Sequence, residues 1–198
     1  VGTDGMSRTL KAMLEYGANV NIYMAHGGTS FGFESGANMG GKGYQSMVTS
    51  YDFDAPISEA GDLKPKYFAM KDVISKFFPL PSVAYNETNP KNAFGKVNMT
   101  AVASAFDMPE DILSEKVDSA YPLSFESLGQ NHGFVLYSYD NPADQFFIDP
   151  AVLNVETLHD RAYVFVNGEP SGMLDRVAAS SSVAVYVRPG DYLQLLVE

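Results

Sequence analysis

The pattern of apolar and polar residues predicts that the chain begins with a helix and continues into a short strand. Apolar side chains recur at the spacing of one helix face, at Met6, Leu10, Met13 and Leu14. Asp4 or Ser7 is placed to cap the start of this helix, and Gly17 is placed to end it. The residues that follow, 20–24, are mostly apolar and predict a short strand with Tyr23 near its carboxyl end.

A long glycine-rich stretch, residues 23–61, follows this strand. It contains eight glycines and six aromatic residues, which are Tyr23, Phe31, Phe33, Tyr44, Tyr51 and Phe53. Long loops in compact domains are usually functional or disordered, and disordered segments are poor in aromatic residues. We therefore interpret this stretch as an ordered binding loop at the end of a strand.

A second helix is predicted after the loop. Asp62 can cap it, Pro65 fits its first turn, and prolines at 79 and 81 end it. Its apolar face comprises Tyr67, Met70, Val73, Ile74 and Phe77. The order helix, strand, loop, helix is that of α/β folds, in which the loop after a strand carries the site. One strand cannot make a parallel sheet, so in a barrel the other strands would lie upstream of Val1.

From about residue 121, apolar and polar residues alternate with a period of two, as they do in strands. Strands are predicted at residues 134–139, 161–166, 183–187 and 192–197. Asn167-Gly168 predicts a hairpin with a type I′ turn, and residues 188–191 predict a further turn. Many short strands with regular turns are typical of a β-sandwich or jelly roll. The polar, proline-bearing residues between the two parts predict a linker with one weak helical patch at 102–113.

Composition narrows the range of partners and compartments. The formal net charge of -11 argues against nucleic acid and against an anionic membrane surface. The sequence contains no run of 18 apolar residues, so no membrane span is predicted. The absence of cysteine excludes disulfides and thiolate metal sites within the chain. Asn86 and Asn98 each begin an N-glycosylation triplet, which favours a secreted or lysosomal protein. Because the chain starts at Val1 without methionine, we expect it to be part of a longer protein.

Candidate chemistry is sparse. The glycines at 27–32 lack the lysine and the spacing of a P-loop, and no serine lies in a G-x-S-x-G elbow. Asp52 and Asp54 lie two residues apart and allow acid/base chemistry or cation binding, but fixing a turn is the favoured interpretation. The three histidines lack metal-ligand spacing, so no metal and no cofactor is predicted.

Tyr23 fits either the core or a ligand site. The aromatic residues of the loop permit a carbohydrate site, since tyrosine offers an apolar body and a polar tip.

Several blocks of the chain resemble the family 35 glycoside hydrolases, the acid β-galactosidases, and in particular the animal lysosomal type. The most specific block runs from residue 49 to 61 and includes Tyr51-Asp52-Phe53-Asp54-Ala55-Pro56. The likeness extends through residues 21–32, 66–69, 93–97, 121–123 and 159–164, and so covers nearly the whole chain.

This resemblance implies a (β/α)8 TIM barrel followed by β-sandwich domains. Residues 1–78 would be the C-terminal part of the barrel, 79–118 a linker, and 119–198 most of the first β-domain, so that the fold is incomplete at both ends. The implied reaction is hydrolysis of terminal β-linked galactose with retention, which uses one glutamate as acid/base and a second as nucleophile. Both belong to upstream strands. None of Glu15, Glu34 and Glu59 matches them, so we expect no catalytic residue in this chain.

The resemblance does imply contacts to galactose. Tyr23 matches a tyrosine that lines the sugar pocket, and Phe53 stands where the animal lysosomal enzymes have a second pocket tyrosine, with Tyr51 close by. Two further departures are Glu34 in place of a tryptophan and His26 in place of an apolar residue. These changes put one sugar contact and the fine specificity in doubt.

Two classes of function therefore remain. The chain is either a segment of a retaining β-galactosidase, inactive alone, or a non-catalytic carbohydrate-binding or structural module. In the first case its partners are a galactose-containing glycan and the rest of its polypeptide or a companion fragment, and a homo-oligomer is a further candidate assembly. An incomplete barrel would expose strand edges and apolar surface, which such a partner would cover.

Overall fold

A computed structural model describes residues 2–40, 43–86, 88–101, 103–104, 106, 113, 115–144, 150–159, 161–176 and 182–198. The chain divides into two compact units. The first comprises Val1–Phe31 and Val48–Val97, and the second comprises Gly32–Met47 and Asn98–Glu198. The helical patch predicted at 102–113 lies largely outside the described residues.

Two helices that pack on each other form the core of the first unit. They are α1, Thr3–Glu15, and α2, Pro65–Ser75. Their buried residues are Leu10, Leu14, Met70 and Val73, with Met6, Val20, Ile74 and Phe77 packed around them. The two apolar faces predicted from helical spacing are therefore the faces that meet.

The ends of α1 and α2 confirm some predictions and correct others. Gly17 has φ 78°, and the N–H groups of Gly17 and Ala18 donate to the carbonyls of Leu14 and Met13 at 3.0 Å, which is the Schellman arrangement. The predicted side-chain caps are wrong, because Asp4 and Ser7 lie inside α1 and its N-cap is Gly2.

At α2 the N-cap is Lys64, and Pro65 occupies the first turn as predicted. Asp62 is not the cap. Its carboxylate instead accepts hydrogen bonds from the Asn89 backbone N–H at 3.0 Å and the Lys91 Nζ at 2.6 Å. The aspartate therefore ties the chain that follows α2 back onto the first unit.

The predicted strand at residues 20–24 is not formed. Within the described part of the chain, these residues pair with no neighbouring strand. Just after this segment, His26 forms an isolated parallel bridge with Ile57, and Ile57 forms an antiparallel one with Leu63. A strand is defined by its hydrogen-bonded partner, so an apolar segment without one is not a strand, and the chain bends at Tyr23.

The glycine-rich stretch folds as two nested antiparallel ladders. The outer ladder pairs β1, Gly28–Thr29, with β4, Ser50–Tyr51, in the first unit. The inner ladder pairs β2, Ala37–Gly40, with β3, Gly43–Ser46, in the second unit. The sequence predicted order in this stretch but none of these strands, because glycine is depleted in strands.

The second unit also contains two antiparallel sheets that share one core. The four-stranded sheet has the order β5, β10, β7, β8, and the two-stranded sheet pairs β6 with β9. Their bounds are β5 Val135–Asp140, β6 Ala151–Asn154, β7 Arg161–Val166, β8 Glu169–Asp175, β9 Ser182–Val185 and β10 Tyr192–Val197. The buried core comprises Ala162, Val164, Leu174, Val185 and Val197.

The strand predictions in this unit are largely confirmed. β7 and β10 have the predicted bounds, and β5 and β9 are shifted slightly. Asn167 and Gly168 have φ values of 51° and 78°, as a type I′ turn requires. β6 was not predicted. Gly172 of β8 lies so close to Val183 that a side chain there would collide with it.

The architecture is thus a helix-and-loop unit together with an all-β unit. No helix in the described part of the chain combines the length and the apolar character that crossing a bilayer requires.

Candidate functional site

Three aromatic residues singled out in the sequence come together in the first unit. The hydroxyl oxygens of Tyr23 and Tyr51 lie 2.9 Å apart, and the ring centroids of Tyr51 and Phe53 lie 4.4 Å apart at 46°. Tyr23 is 78% exposed and Phe53 is 69% exposed. The cluster of Tyr23, Tyr51 and Phe53, here called the aromatic cluster, therefore presents ring surface and hydroxyl groups to solvent together.

The Tyr51 hydroxyl holds its proton more firmly than an isolated tyrosine does. Its hydrogen bond with Tyr23, together with partial desolvation, raises the pKa of Tyr51. Neutral phenols both donate and accept hydrogen bonds. The pair can therefore offer a donor and an acceptor to one polar ligand.

A strained turn sets the position of Phe53. Phe53 and Asp54 have φ values of 46° and 53°, the left-handed region that L-residues with side chains rarely adopt. The Asp52 carboxylate accepts the Asp54 backbone N–H at 2.9 Å, and the Ala55 N–H donates to the Asp52 carbonyl at 3.0 Å. This Asx turn fixes the strained backbone from both sides.

Two lysines bind the aspartates of this turn. Lys64 Nζ lies 2.6 Å from Asp52 Oδ1, and Lys66 Nζ lies 2.5 Å from Asp54 Oδ2 and 2.7 Å from the Asp54 carbonyl. Lys66 is itself buried. These hydrogen bonds are the main cause of the lowered pKa of each aspartate. The contacts support the interpretation of Asp52 and Asp54 as turn-fixing residues, rather than as an acid/base pair or cation ligands.

Glu59 fastens the outer ladder to the same turn region. Its two carboxylate oxygens accept hydrogen bonds from the hydroxyls of Thr29 on β1 and Ser50 on β4, the latter at 2.7 Å. These bonds lower the pKa of Glu59. Gly27 allows a close approach here, because a Cβ would lie 3.0 Å from the Glu59 nitrogen and 3.1 Å from the Asp52 Cα, and the backbone would have to shift to admit it. One glutamate thus crosslinks both strands beside the aromatic cluster.

The sequence predicted the members of the aromatic cluster but missed the residues that support it. Lys64 and Lys66 were not identified as partners of the aspartates, and Glu59 was assigned only a general turn role. The one usable signal was charge: two lysines follow four acidic residues within a short acidic segment. The sequence does not show which lysine binds which aspartate, because the pairing depends on how the chain turns at Ile57.

Among the described residues, no group of three or more histidine, aspartate and glutamate side chains is placed to hold a metal ion. The carboxylates near the aromatic cluster already bind lysines and hydroxyls. What the arrangement offers is a rigid, partly exposed aromatic and hydroxyl surface, which suits a ligand with apolar faces and polar edges.

Two segments of the chain match models of known families. Residues 3–77 match the model of glycosyl hydrolases family 35, and residues 122–198 match the model of the first all-beta domain of beta-galactosidase. The chain therefore joins a segment homologous to family 35 glycosyl hydrolases to a segment homologous to that all-beta domain. The resemblance predicted from the sequence motifs is confirmed.

The relatives that share this arrangement are named beta-galactosidases. The chain is 42% identical over 199 residues to beta-galactosidase of Bos taurus and 40% identical over 200 residues to beta-galactosidase of Homo sapiens, and both alignments span all of it. It is also 40% identical over 172 residues to a beta-galactosidase-1-like protein of Mus musculus, across 86% of the chain. The chain spans only about 30% of the length of the Bos taurus relative.

Proposed function

We propose that this chain is part of a retaining β-galactosidase, in which it contributes galactose-binding residues but not the catalytic glutamates. The full-length protein would hydrolyse terminal β-linked galactose from glycoconjugates. The observation that carries the proposal is the aromatic cluster, which lies within the segment that matches glycosyl hydrolases family 35.

Sugar recognition fits the chemistry of the cluster. Galactose has an apolar C–H face that can stack on an exposed ring, and hydroxyls that can bond to phenols. The Tyr23 and Tyr51 hydroxyls lie 2.9 Å apart, close enough to contact neighbouring hydroxyls of one sugar. Phe53 adds a stacking surface but no hydrogen bond, so specificity would depend on the two tyrosines.

The architecture proposed for the whole protein follows the family. Residues 1–78 would be the C-terminal part of a TIM barrel, 79–118 a linker and 119–198 a jelly-roll β-sandwich. The family mechanism places an acid/base glutamate and a nucleophilic glutamate on other strands of the barrel. The isolated chain is therefore expected to be inactive and to need the rest of its polypeptide or a companion fragment.

A lysosomal or secreted location is part of the proposal. Asn86 and Asn98, which begin the two glycosylation triplets, are both exposed, as glycan acceptors must be.

Hydrolysis of a chromogenic β-galactoside by the full-length protein tests the proposal, with NMR of the first-formed sugar anomer reporting retention. Tyr23→Phe and Tyr51→Phe should each lower kcat/KM by about threefold to tenfold, the value of one neutral hydrogen bond. Tyr139→Phe is the matched control, since this exposed tyrosine lies on β5, and its kcat/KM should equal that of the natural protein.

The results also distinguish this proposal from the alternative, a non-catalytic carbohydrate-binding or structural module. That alternative gains support if the full-length protein binds galactose but leaves the galactoside intact. The pocket assignment is wrong if the protein is active and both tyrosine variants behave like Tyr139→Phe. Activity of the 198-residue chain alone would contradict the placement of the catalytic glutamates outside it.

A further inference from the structure

The start of α2 carries two lysines, at the end of a helix that is least suited to cations. Lys64 is the N-cap, and Lys66 follows Pro65 in a first turn that contains no acidic residue. The free N–H groups of a helix N-terminus form the positive end of its macrodipole, so a cation there is unfavourable. The helix gains nothing from these charges, which points to a role for them outside α2.

Burial of Lys66 adds to this disadvantage. Its side chain is 11% exposed, whereas the side chain of its partner Asp54 is 61% exposed. A charge that leaves water loses its hydration, and attraction to a solvent-screened partner returns little of that loss. An apolar side chain of similar length would avoid the loss. The Lys66–Asp54 pair is therefore poorly suited to stabilising the fold.

The two lysines hold the backbone on both sides of Phe53. Lys66 Nζ donates to the Asp54 carbonyl at 2.7 Å and to Asp54 Oδ2 at 2.5 Å. Lys64 Nζ donates to Asp52 Oδ1 at 2.6 Å, and the same oxygen accepts the Asp54 N–H at 2.9 Å. Phe53, with φ 46°, lies between these two anchors. The left-handed turn is therefore fixed from the start of α2.

Phe53 depends on this support, because its own side chain supplies little. The ring is 69% exposed and contacts the Tyr51 ring at 4.4 Å. A ring that buries so little surface gains little from the hydrophobic effect, so its packing alone would not hold a left-handed backbone. The lysines, in contrast, start from a rigid base, since Met70 and Val73 of α2 are buried against α1.

We propose that Lys66 is a positioning residue, which together with Lys64 fixes Phe53 for sugar binding from the start of α2. The effect on binding rests on the proposed function, whereas the effect on the turn does not. The charge of Lys66 disfavours the helix and favours the turn. Its removal should therefore weaken binding without weakening the fold.

Lys66→Met tests this role in the full-length protein. Methionine keeps an apolar stem and removes the ammonium group, and the exposed Asp54 carboxylate can turn to water, so no charge is left buried. Hydrogen exchange of a peptide that spans residues 53–55, followed by mass spectrometry, should become about tenfold faster or more, because charge-assisted hydrogen bonds are lost. Exchange of α2 around Met70 and the thermal unfolding midpoint should stay the same or improve in the direction of stability.

Kinetics of the same variant report the effect on the site. KM for a chromogenic β-galactoside should rise about threefold to tenfold in Lys66→Met, while kcat stays within about twofold of the natural value. A less ordered Phe53 weakens sugar binding more than it changes the chemical step. A purely structural lysine would instead lower the unfolding midpoint and leave KM unchanged.

Lys76→Met is the matched control. Lys76 lies at the opposite end of α2 and also pairs with an aspartate, Asp72, at 2.6 Å, but its side chain is 54% exposed. The substitution therefore removes the same ammonium group from the same helix. It should leave KM and the exchange of residues 53–55 unchanged.

The proposal is wrong if residues 53–55 exchange in Lys66→Met at the natural rate. It is also wrong if exchange around Met70 accelerates by the same factor, since Lys66 would then support the helix, or if the turn is released and KM does not change. If the natural protein does not hydrolyse galactosides, the proposed function fails, and exchange of residues 53–55 still decides whether Lys66 fixes the turn.

Discussion

Phe53 shows at the scale of one residue how an exposed aromatic ring is held in place at a cost in backbone strain. Its left-handed φ of 46° costs about 1–2 kcal/mol for an L-residue with a side chain. The Asp52 turn and its lysine partners hold it there. A phenylalanine in such a conformation favours the proposed role for its side chain, since glycine would fit the backbone without strain.

Substitution of Phe53 separates the backbone strain from the side-chain contact. Phe53→Ala loses the ring contact with Tyr51 and keeps the strain, whereas Phe53→Gly loses the contact and relieves the strain. We therefore expect Phe53→Gly to be more stable than Phe53→Ala by about 1 kcal/mol in urea denaturation of the full-length protein. Both should bind galactose more weakly, and equal stabilities would show that the turn is not strained.

The aromatic cluster could be predicted at this scale, and its supporting residues could not. Tyr23, Tyr51 and Phe53 were found through their motif and their chemical type. The pairing of Lys66 with Asp54 depends on a turn between them, and the sequence gives no distance across that turn. The strained φ of Phe53 was equally hidden, because no glycine or asparagine marked the position.

At the scale of elements, three turns at one end of the four-stranded sheet are bonded to one another. Asn167, in the β7–β8 turn, donates its Nδ2 to Asp191 Oδ1 at 2.7 Å and accepts the Tyr192 N–H at 3.0 Å. Asn141, which follows β5 and is buried, donates its Nδ2 to the Arg188 carbonyl at 2.8 Å. Asp191 accepts the Arg188 N–H at 2.7 Å, which closes the set.

Two substitutions of Asn167 distinguish its backbone role from its side-chain role. Asn167→Gly keeps the positive φ and loses the two hydrogen bonds, so we expect a loss of about 1–2 kcal/mol. Asn167→Ala also strains the turn and should cost about 1 kcal/mol more. Hydrogen exchange of the β7 and β10 amides in the full-length protein measures the loss of stability in both variants. If alanine is the milder change, left-handed geometry does not govern this turn.

The strand predictions succeeded where local signals agree and failed where pairing is distant. β7 and its turn were predicted because β-branched and aromatic residues precede Asn167-Gly168. β6 was missed, because its partner β9 lies at a sequence separation that no local pattern reveals. Residues 20–24 carry a strand pattern, but among the described residues no neighbouring strand pairs with them, so pattern and structure disagree.

At the scale of the whole molecule, the carboxylates of the first unit link its stability to pH. The pKa values of Asp52, Asp54, Glu59 and Asp62 are all lowered, mainly by hydrogen bonds from Lys64, Lys66, Thr29 and Lys91 respectively. A carboxylate whose pKa is lower in the folded state binds fewer protons there than in the unfolded chain. The stabilisation is therefore complete above the unfolded pKa values, near 4, and is lost as the pH falls through the folded values.

This linkage predicts that the full-length protein loses stability below about pH 4 and changes little between about pH 5 and 7. Asp52→Asn, which cannot carry the charge that binds Lys64, should lower the unfolding midpoint at neutral pH. The plot of this midpoint against pH should then converge in acid with the plot for the natural protein.

Asp72→Asn is the control, because its pair with Lys76 lies exposed on the surface of α2, where such pairs contribute little. If the Asp52→Asn curve runs parallel to the natural one at every pH, then the Asp52–Lys64 pair does not govern the acid sensitivity of the protein. A site that is stable in mild acid would suit the lysosomal location proposed for the protein.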